Sequence, residues 1–234
     1  MTSAEVGVLW VEGRLRGESE ARRDAYVRAW SRRLLAVMGV RVIDDTVSAR
    51  LPPVPATGRL IVSNHRSMID ILLVLSRYGG NILSKDDLQR WPVVAYLAGI
   101  AGTLYVDRSN SASGAASIRR VGDRLGLGRA VTVFPEGTTY PGDEVRPFHA
   151  GAFLAAARAG AEVLPVGIAY REPEAIYWHE SLGQHGRRLL EQPSITVAMV
   201  AGEIIPSSGT TSKRLTAAAE SAVQSLVHRA RAKL

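Results

Sequence analysis

His65 and Asp70 are the two residues of this chain best suited to acid–base chemistry. Histidine can accept and return a proton near neutral pH, and a carboxylate about one helical turn away can hold its second ring nitrogen. The pair lies between apolar runs at residues 60–62 and 71–75. The same spacing also fits a buried histidine that caps a helix beside an unrelated aspartate, so spacing alone does not decide between catalysis and capping.

Other polar residues of chemical interest stand at the ends of apolar runs. Glu136 follows such a run and lies between a proline and a glycine, which predicts a tight turn that presents its carboxylate at a sheet edge. Arg108 follows another, and a guanidinium at a strand end suits a phosphate or carboxylate. Taken singly, they also fit a solvated glutamate and a surface pair with Asp107. The proline-containing run at residues 163–168 suggests an edge strand or the wall of an apolar channel. Taken alone, packing in the core explains this run better.

The elements that must position these residues alternate along the chain. From residue 41 onward, β-rich apolar runs are separated by stretches of helical periodicity. This alternation predicts an α/β fold, with a mixed, largely parallel sheet flanked by helices. The predicted strands are residues 60–63, 81–84, 103–106, 130–134, 162–168 and 194–200, and the predicted helices are residues 70–78, 91–98, 111–125, 151–159, 174–190 and 213–232.

Residues 20–38 predict an N-terminal amphipathic helix with Tyr26 and Trp30 on its apolar side and arginines around the rest. A basic helix with such aromatics can lie in a membrane interface. It can also dock on the core with its arginines in water. A proline-rich stretch after residue 50 predicts an N-terminal, membrane-interface helical segment at residues 1–50 and an α/β domain at residues 51–234.

The composition narrows the classes of partner. The 234-residue chain is 46% hydrophobic and 22% charged, which is typical of a globular protein. Its formal net charge of +7 favours nucleic acid, a phospholipid surface or a phosphate-bearing substrate. The sequence lacks zinc-finger spacing, an RNA-binding aromatic motif and a basic tail, which argues against nucleic acid. The absence of cysteine excludes disulfides, thiolate metal sites and a cysteine nucleophile.

The lengths of the apolar runs indicate how the protein is placed relative to a membrane. No apolar run reaches the roughly 20 residues of a spanning helix, and the first residues lack the basic segment of a signal peptide. We therefore expect a protein on the cytoplasmic side of the membrane, peripheral or monotopic, without a transmembrane span.

Four segments, in this order, resemble the sequence blocks of the glycerolipid acyltransferase family, which is best represented by 1-acylglycerol-3-phosphate acyltransferases. The NHxSxxD block matches residues 64–70, the arginine-ending block residues 102–108, the FPEGT block residues 134–138 and the apolar V-P-[VI] block residues 163–168. The resemblance implies a glycerol-phosphate acyltransferase-like fold. It also implies transfer of a fatty acyl chain from acyl-CoA or acyl-carrier protein to a lipid hydroxyl, with these thioesters as co-substrates and no other cofactor or metal.

The resemblance implies a role for each matched residue. His65 would be the general base and Asp70 would orient it, while backbone N–H groups near the motif would stabilise the oxyanion. Arg108 would hold a glycerol phosphate, and Glu136 would organise the polar site. The other predicted substrate-binding residues are Asn64, Ser67, Lys85, Gly137, Thr138 and Arg146. Ser67 lies close enough to His65 in sequence to keep a serine nucleophile as an alternative.

Thr139 and His149 depart from the family's commonest pattern, in which basic residues stand at both positions. Both changes remove positive charge expected near an acceptor phosphate, which Arg146 could restore. In having a threonine after FPEGT, the chain resembles those family members that are similar to lyso-ornithine-lipid acyltransferases. The leading prediction is acylation of lysophosphatidate to phosphatidate. A lyso-ornithine lipid or another hydroxyl acceptor is the alternative, and a non-catalytic lipid-binding module is a second. The expected partners are an anionic membrane surface, a lysophospholipid acceptor and the acyl donor, but no nucleic acid.

Overall fold

The computed structural model describes residues 20–44, 51–85, 103–106 and 111–234. The secondary structure within these ranges alternates between helices and strands. In chain order the elements are α1 (Glu20–Val37), β1 (Val40–Asp44), β2 (Arg59–Ser63), α2 (Ile69–Tyr78), β3 (Asn81–Lys85), β4 (Leu104–Val106), α3 (Ser111–Gly126), β5 (Ala130–Val133), α4 (Gly151–Ala159), β6 (Glu162–Tyr170), a 3₁₀ turn (Pro173–Ala175), α5 (Leu182–Glu191), β7 (Ile195–Ala201) and α6 (Ser212–Arg231).

A seven-stranded sheet forms the middle layer, with the strand order β1-β7-β6-β2-β5-β3-β4. Neighbouring strands are parallel except for β6 and β7, which are antiparallel. The strands β1 and β7 therefore run against the others. The mixed, largely parallel sheet predicted from the sequence is confirmed.

Hydrophobic side chains pack on both faces of the sheet. Leu60 and Val62 of β2 belong to the cluster shared with α3, α4 and α6, whereas Ile61 belongs to the cluster shared with α1, α2 and α5. Every residue of β2 is buried, because successive side chains of a strand point to opposite faces and both faces are covered. This double burial accounts for the continuous apolar run in the sequence.

The N-terminal helix α1 packs against α2. Its buried residues include Val27 and Leu35, whereas Arg22 and Arg32 are exposed. Residues 40–44 then form β1, which pairs in parallel with β7. The sheet therefore includes residues that precede the predicted boundary at residue 50. Among the described helices, none is long and apolar enough to cross a membrane.

The apolar run at residues 163–168 packs in the core, as the interpretation preferred for it states. Its suggested edge position and the helix predicted after it are wrong. The strand β6 is central, between β2 and β7. Regular β6–β7 pairing stops at Val166 and Ala201, and Pro165 lies just beyond it, where its carbonyl accepts the Gly202 N–H at 2.9 Å. The long helix predicted at residues 174–190 is a 3₁₀ turn followed, after an irregular stretch, by α5. Ser181 starts α5 with a capping box. The helix predicted at residues 91–98 lies outside the described residues.

Candidate active site

The candidate site lies where β2 and β5 end. These strands are parallel neighbours, so the segments that follow them, residues 64–68 and 134–140, leave the same edge of the sheet. The third contributor, β6, is parallel to β2 and ends at this edge as well. In open α/β sheets, ligands bind outside the carboxyl ends of the strands. The fold therefore brings the histidine block and the glutamate turn together.

The imidazole of His65 contacts Asp70 through one ring nitrogen and Phe134 through one ring face. Its Nδ1 lies 2.8 Å from Oδ2 of Asp70, and its ring stacks on Phe134 with centroids 4.2 Å apart. The Asp70 side chain is fully buried, whereas that of His65 is 17% exposed. Because Nδ1 faces Asp70, the other ring nitrogen, Nε2, is the one that can meet a substrate.

The Asp70 carboxylate is fixed by bonds to both of its oxygens. The backbone N–H groups of Arg66 and Ser67 donate to Oδ2 at 2.6 and 2.8 Å, and the Tyr170 hydroxyl donates to Oδ1 at 2.6 Å. Burial, followed by the charge and hydrogen bond of Asp70, raises the pKa of Tyr170 well above its ordinary value, so the phenol stays protonated. This arrangement can hold a histidine in one orientation and stabilise its protonated form.

Tyr170 was not predicted as a site residue. The strand was predicted to end at residue 168, whereas β6 continues to Tyr170. A signal was available, because two residues beyond Ile168 the side chain returns to the same face of the strand.

Glu136 joins the two loops and the segment that follows them. Its Oε2 accepts from the His65 backbone N–H at 2.7 Å and from Nη1 of Arg66 at 2.8 Å, and its Oε1 accepts from the Arg146 backbone N–H at 2.8 Å. The side chains of Arg66 and Glu136 are 2% and 0% exposed. The alternative of a solvated glutamate in a turn is therefore wrong, and Glu136 connects backbone segments inside the protein.

The backbone N–H groups of residues 65–67 are all bound internally. That of His65 donates to Glu136, and those of Arg66 and Ser67 donate to Asp70. These three N–H groups are therefore engaged with carboxylates, and the expectation that N–H groups near the motif stabilise the oxyanion stays a prediction for other residues.

The remaining predicted residues lie in different surroundings. The Asn64 side chain is buried and bonds the Ile168 N–H and carbonyl at 2.9 and 2.8 Å, joining β2 to β6. Gly137 adopts φ 86° in the turn, a conformation that favours glycine, and Thr138 beside it is exposed. Ser67 is fully buried, and its Oγ lies 3.1 Å from Nε2 of His185, which was not predicted as a site residue.

Arg146 is the predicted residue that lies on the surface beside the loops. Its guanidinium carbon is 5.3 Å from the centroid of the Tyr140 ring, and Tyr140 also contacts Trp178 with ring centroids 5.6 Å apart. Thr139 is buried and His149 is exposed. Arg108 and the Lys85 side chain lie outside the described residues.

A metal site would need several convergent ligands. Within the described part of the chain, no group of three or more His, Asp or Glu residues is placed to hold a metal ion. The geometry at His65, with Nδ1 held by Asp70, suits acid–base chemistry at Nε2.

Comparison with known proteins places this geometry in a family. The Acyltransferase family model matches residues 42–169. A lyso-ornithine lipid O-acyltransferase of Pseudomonas aeruginosa is 35% identical over 210 residues, covering 86% of this chain and 78% of that protein. A 1-acyl-sn-glycerol-3-phosphate acyltransferase of Neisseria gonorrhoeae is 33% identical over 121 residues, covering 52% of this chain and 48% of that protein.

A solved structure has the same fold. The crystal structure of the 1-acyl-sn-glycerophosphate (LPA) acyltransferase PlsC from Thermotoga maritima matches with a TM-score of 0.74 at 21% identity, over 97% of this chain and 89% of that chain. The family model and the Pseudomonas relative confirm the resemblance found in the sequence blocks. The chain belongs to the acyltransferase family and is an O-acyltransferase.

Proposed function

We propose that this enzyme transfers a fatty acyl chain from a thioester, acyl-CoA or acyl-carrier protein, to the free hydroxyl of a lysolipid, with His65 as the general base. One observation carries the proposal. The His65 ring is held at 2.8 Å by a buried, fully bonded carboxylate at the ligand-binding edge of the sheet. A base held in this way needs no further reorganisation when it becomes charged.

The proposed reaction is a direct displacement. Nε2 of His65 removes the hydroxyl proton, and the acceptor oxygen attacks the thioester carbonyl carbon. The carbon–sulfur bond then breaks, and the thiolate takes the proton back from the imidazolium. Asp70 stabilises the imidazolium, while Tyr170 holds the other oxygen of that carboxylate. This path forms no acyl-enzyme.

Two acceptors follow from the sequence and the relatives. Lysophosphatidate fits the FPEGT block and the predicted role of Arg108, with Arg146 exposed beside the loops as a second cation. Lyso-ornithine lipid fits the threonine at residue 139 and the Pseudomonas relative, which matches over 86% of this chain. Both acceptors present a hydroxyl to the same base.

We further propose that the enzyme works as a peripheral protein at an anionic membrane surface. Exposed arginines of α1, among them Arg22 and Arg32, would meet phospholipid headgroups. Val37, 81% exposed at the end of α1, adds an apolar contact at the same helix.

The first experiment replaces the base. His65→Ala should lower kcat by about 10²–10⁴-fold, the usual contribution of a general base, with little change in the free energy of unfolding. His228→Ala is the matched control, because His228 is exposed on α6 and bonds Gln224. Products are measured by mass spectrometry from detergent micelles containing the lysolipid and palmitoyl-CoA or palmitoyl-acyl-carrier protein. Near-normal acyl transfer by His65→Ala would contradict the mechanism.

The same assay with a panel of lysolipids identifies the acceptor. Wild-type enzyme receives lysophosphatidate or lyso-ornithine lipid at matched micelle composition, and the higher kcat/KM names the acceptor. Thiol release that depends on added lysolipid separates the enzyme from a lipid-binding module. Binding of lysolipid without thiol release, from either donor, would reject acyl transfer to these acceptors.

A further inference from the structure

A second histidine–carboxylate pair lies behind the first. His185 of α5 is fully buried, and its Nδ1 lies 3.0 Å from Oε1 of Glu180. Its Nε2 lies 3.1 Å from the Ser67 hydroxyl, and Ser67 also donates its backbone N–H to Asp70. A continuous series of hydrogen bonds therefore runs from Glu180 to the carboxylate that holds His65.

The neighbouring arginine fixes which nitrogen of His185 carries the proton. The Nη2 group of Arg188 donates to the Ile176 carbonyl at 2.6 Å and to Glu180. These two bonds use both hydrogens of Nη2. Nη2 therefore has no hydrogen left to donate to Nδ1 of His185, which lies 3.2 Å away. The bond between His185 and Glu180 then requires the proton on Nδ1, which leaves Nε2 as an acceptor.

The surroundings keep this imidazole neutral. Burial lowers the pKa of His185, the positive charge of Arg188 lowers it further, and Glu180 and Asp70 act in the opposite direction with the smaller net effect. The pKa of Glu180 is also lowered, because the hydrogen bond and charge of Arg188 outweigh the opposing effect of its burial. A neutral His185 with a free lone pair on Nε2 accepts the Ser67 hydroxyl proton.

The Ser67 hydroxyl is thereby oriented toward the start of α2. Its proton goes to His185, so its oxygen can accept the backbone N–H of Ile69, which lies at 3.3 Å. Met68, the residue before α2, makes no side-chain cap, and Ser67 supplies that acceptor instead. The orientation of Ser67 therefore sets both the helix start and the N–H that bonds Asp70.

We propose that Glu180, His185 and Ser67 are positioning residues, which fix the Asp70 carboxylate, and through it the His65 ring, by holding the turn between β2 and α2. The inference rests on the proposed role of His65 as the base. Ser67 acts here through its buried hydrogen bonds and not as a nucleophile, since its side chain is fully enclosed and both functions of its hydroxyl are used.

The tautomer of His185 tests the arrangement without any assay of turnover. In the ¹⁵N-labelled full chain at pH 7, the proton of His185 is expected on Nδ1, with Nε2 unprotonated. Long-range ¹H–¹⁵N spectra, assigned by the loss of signals in His185→Gln, distinguish the two forms. A proton on Nε2, or a doubly protonated ring, would overturn the proposal even if the enzyme proved active on no lysolipid.

Substitutions then test the link to catalysis. His185→Leu removes both bonds and should lower kcat about 10–100-fold, as small displacements of catalytic groups do, while KM for the lysolipid changes less than about twofold. His185→Gln keeps a donor and an acceptor and should recover most of that loss. Arg187→Ala is the control on the same helix, because Arg187 is 83% exposed. Its kcat should match the wild type.

The readouts separate positioning from the alternatives. An increase in KM with kcat unchanged would overturn the proposal in favour of substrate contact. Intact mass spectrometry of wild-type enzyme mixed with palmitoyl-CoA alone should show no added acyl mass, and an adduct on Ser67 would overturn it in favour of a covalent intermediate. If His185→Leu fails to fold, the contrast between Glu180→Gln and Glu180→Leu decides the outcome, and equal kcat in the two would overturn the proposal. Glu180→Gln keeps an acceptor for Nδ1 and should retain kcat within about threefold, whereas Glu180→Leu should lose it like His185→Leu.

Discussion

At the scale of single residues, the site depends on carboxylates whose oxygens are bound within the protein. Glu136 accepts hydrogen bonds from two backbone segments and from the buried guanidinium of Arg66. Arg66 in turn donates to the carbonyls of Gly142 and Glu144 at 2.6 and 2.9 Å. A charge so enclosed depends on its partner, because an unpaired buried ion costs several kcal/mol. Glu136 therefore stabilises the folded protein through these internal bonds.

Glu136→Gln tests this reading of the glutamate. The substitution removes the charge that compensates Arg66 and turns one acceptor into a donor, so the free energy of unfolding should fall by about 3–5 kcal/mol. Urea unfolding followed by circular dichroism measures the change. Glu144→Gln is the control, because Glu144 is exposed and contributes its carbonyl. Wild-type stability combined with lost turnover would instead mean that Glu136 contacts the substrate directly.

At the scale of elements, β6 and α6 approach each other unusually closely. A Cβ placed on Gly167 would lie 2.3 Å from the Leu226 carbonyl carbon and 2.4 Å from the Val227 nitrogen. The helix α6 therefore packs its backbone against the strand that ends at Tyr170. The glycine of the apolar block is explained by this contact, since any other residue would push α6 away.

Gly167→Ala should separate these elements and lower the free energy of unfolding by about 1–3 kcal/mol or more, as overpacking does. The same urea titration measures the loss. Gly186→Ala on α5 is the matched control, because no atom lies within 4 Å of the Cβ it would add. There, alanine should raise stability by about 0.5–1 kcal/mol. Equal effects at the two positions would show that the close approach of α6 does not limit this site.

At the scale of the whole molecule, a charged pair ties the end of the last helix to the loop beside the site. Nε and Nη2 of Arg231 donate to the two carboxylate oxygens of Asp143 at 2.7 and 2.8 Å, and Nη1 donates to the Tyr170 carbonyl at 2.6 Å. Hydrogen bonds from Arg231 hold the pKa of Asp143 below its ordinary value of 3.8. The C-terminal helix is thus linked to both the loop and the strand that contact Arg66 and Asp70.

The lowered pKa makes this link pH-dependent. Since the folded pKa of Asp143 is below its unfolded value, the pair stabilises the protein above the unfolded value and the contribution disappears as pH falls through the folded one. Asp143→Asn should lower the free energy of unfolding by about 1 kcal/mol at pH 7, because the pair is partly exposed. The difference from wild type should shrink below pH 4, measured by urea unfolding at a series of pH values. A difference that stays constant down to the lowest pH at which wild type folds would contradict the assignment.

Local patterns in the sequence predicted the central part of the fold and of the site. The runs that became β2 and β5 are apolar because both faces of the sheet are covered, and the polar residues that follow them, His65 and Glu136, therefore lie at one edge. The boundaries of α4 were predicted at residues 151–159 and are found there.

What the sequence missed depends on contacts between distant segments. Tyr170 and His185 reach the site from β6 and α5. The alternation along β6 places Tyr170 on the same face as Ile168, but it does not show that the phenol bonds Asp70, and no local pattern marks His185. The strand β1 was missed because its side chains are mostly half-buried or exposed and lack a clear alternation. Sequence composition could not have corrected either error, because both depend on which surfaces come into contact after folding.

The bond between Glu136 and residue 146 has a consequence for how this enzyme can diverge. The carboxylate holds the backbone N–H of Arg146, which every amino acid except proline supplies, while the guanidinium lies on the exposed surface against Tyr140. The side chain at residue 146 can therefore be exchanged during evolution, or in a designed library, without breaking the hydrogen bond between its backbone N–H and Glu136. A substitution at residue 146 can thus adapt the enzyme to a new lipid headgroup while the acid–base site at His65 stays unchanged.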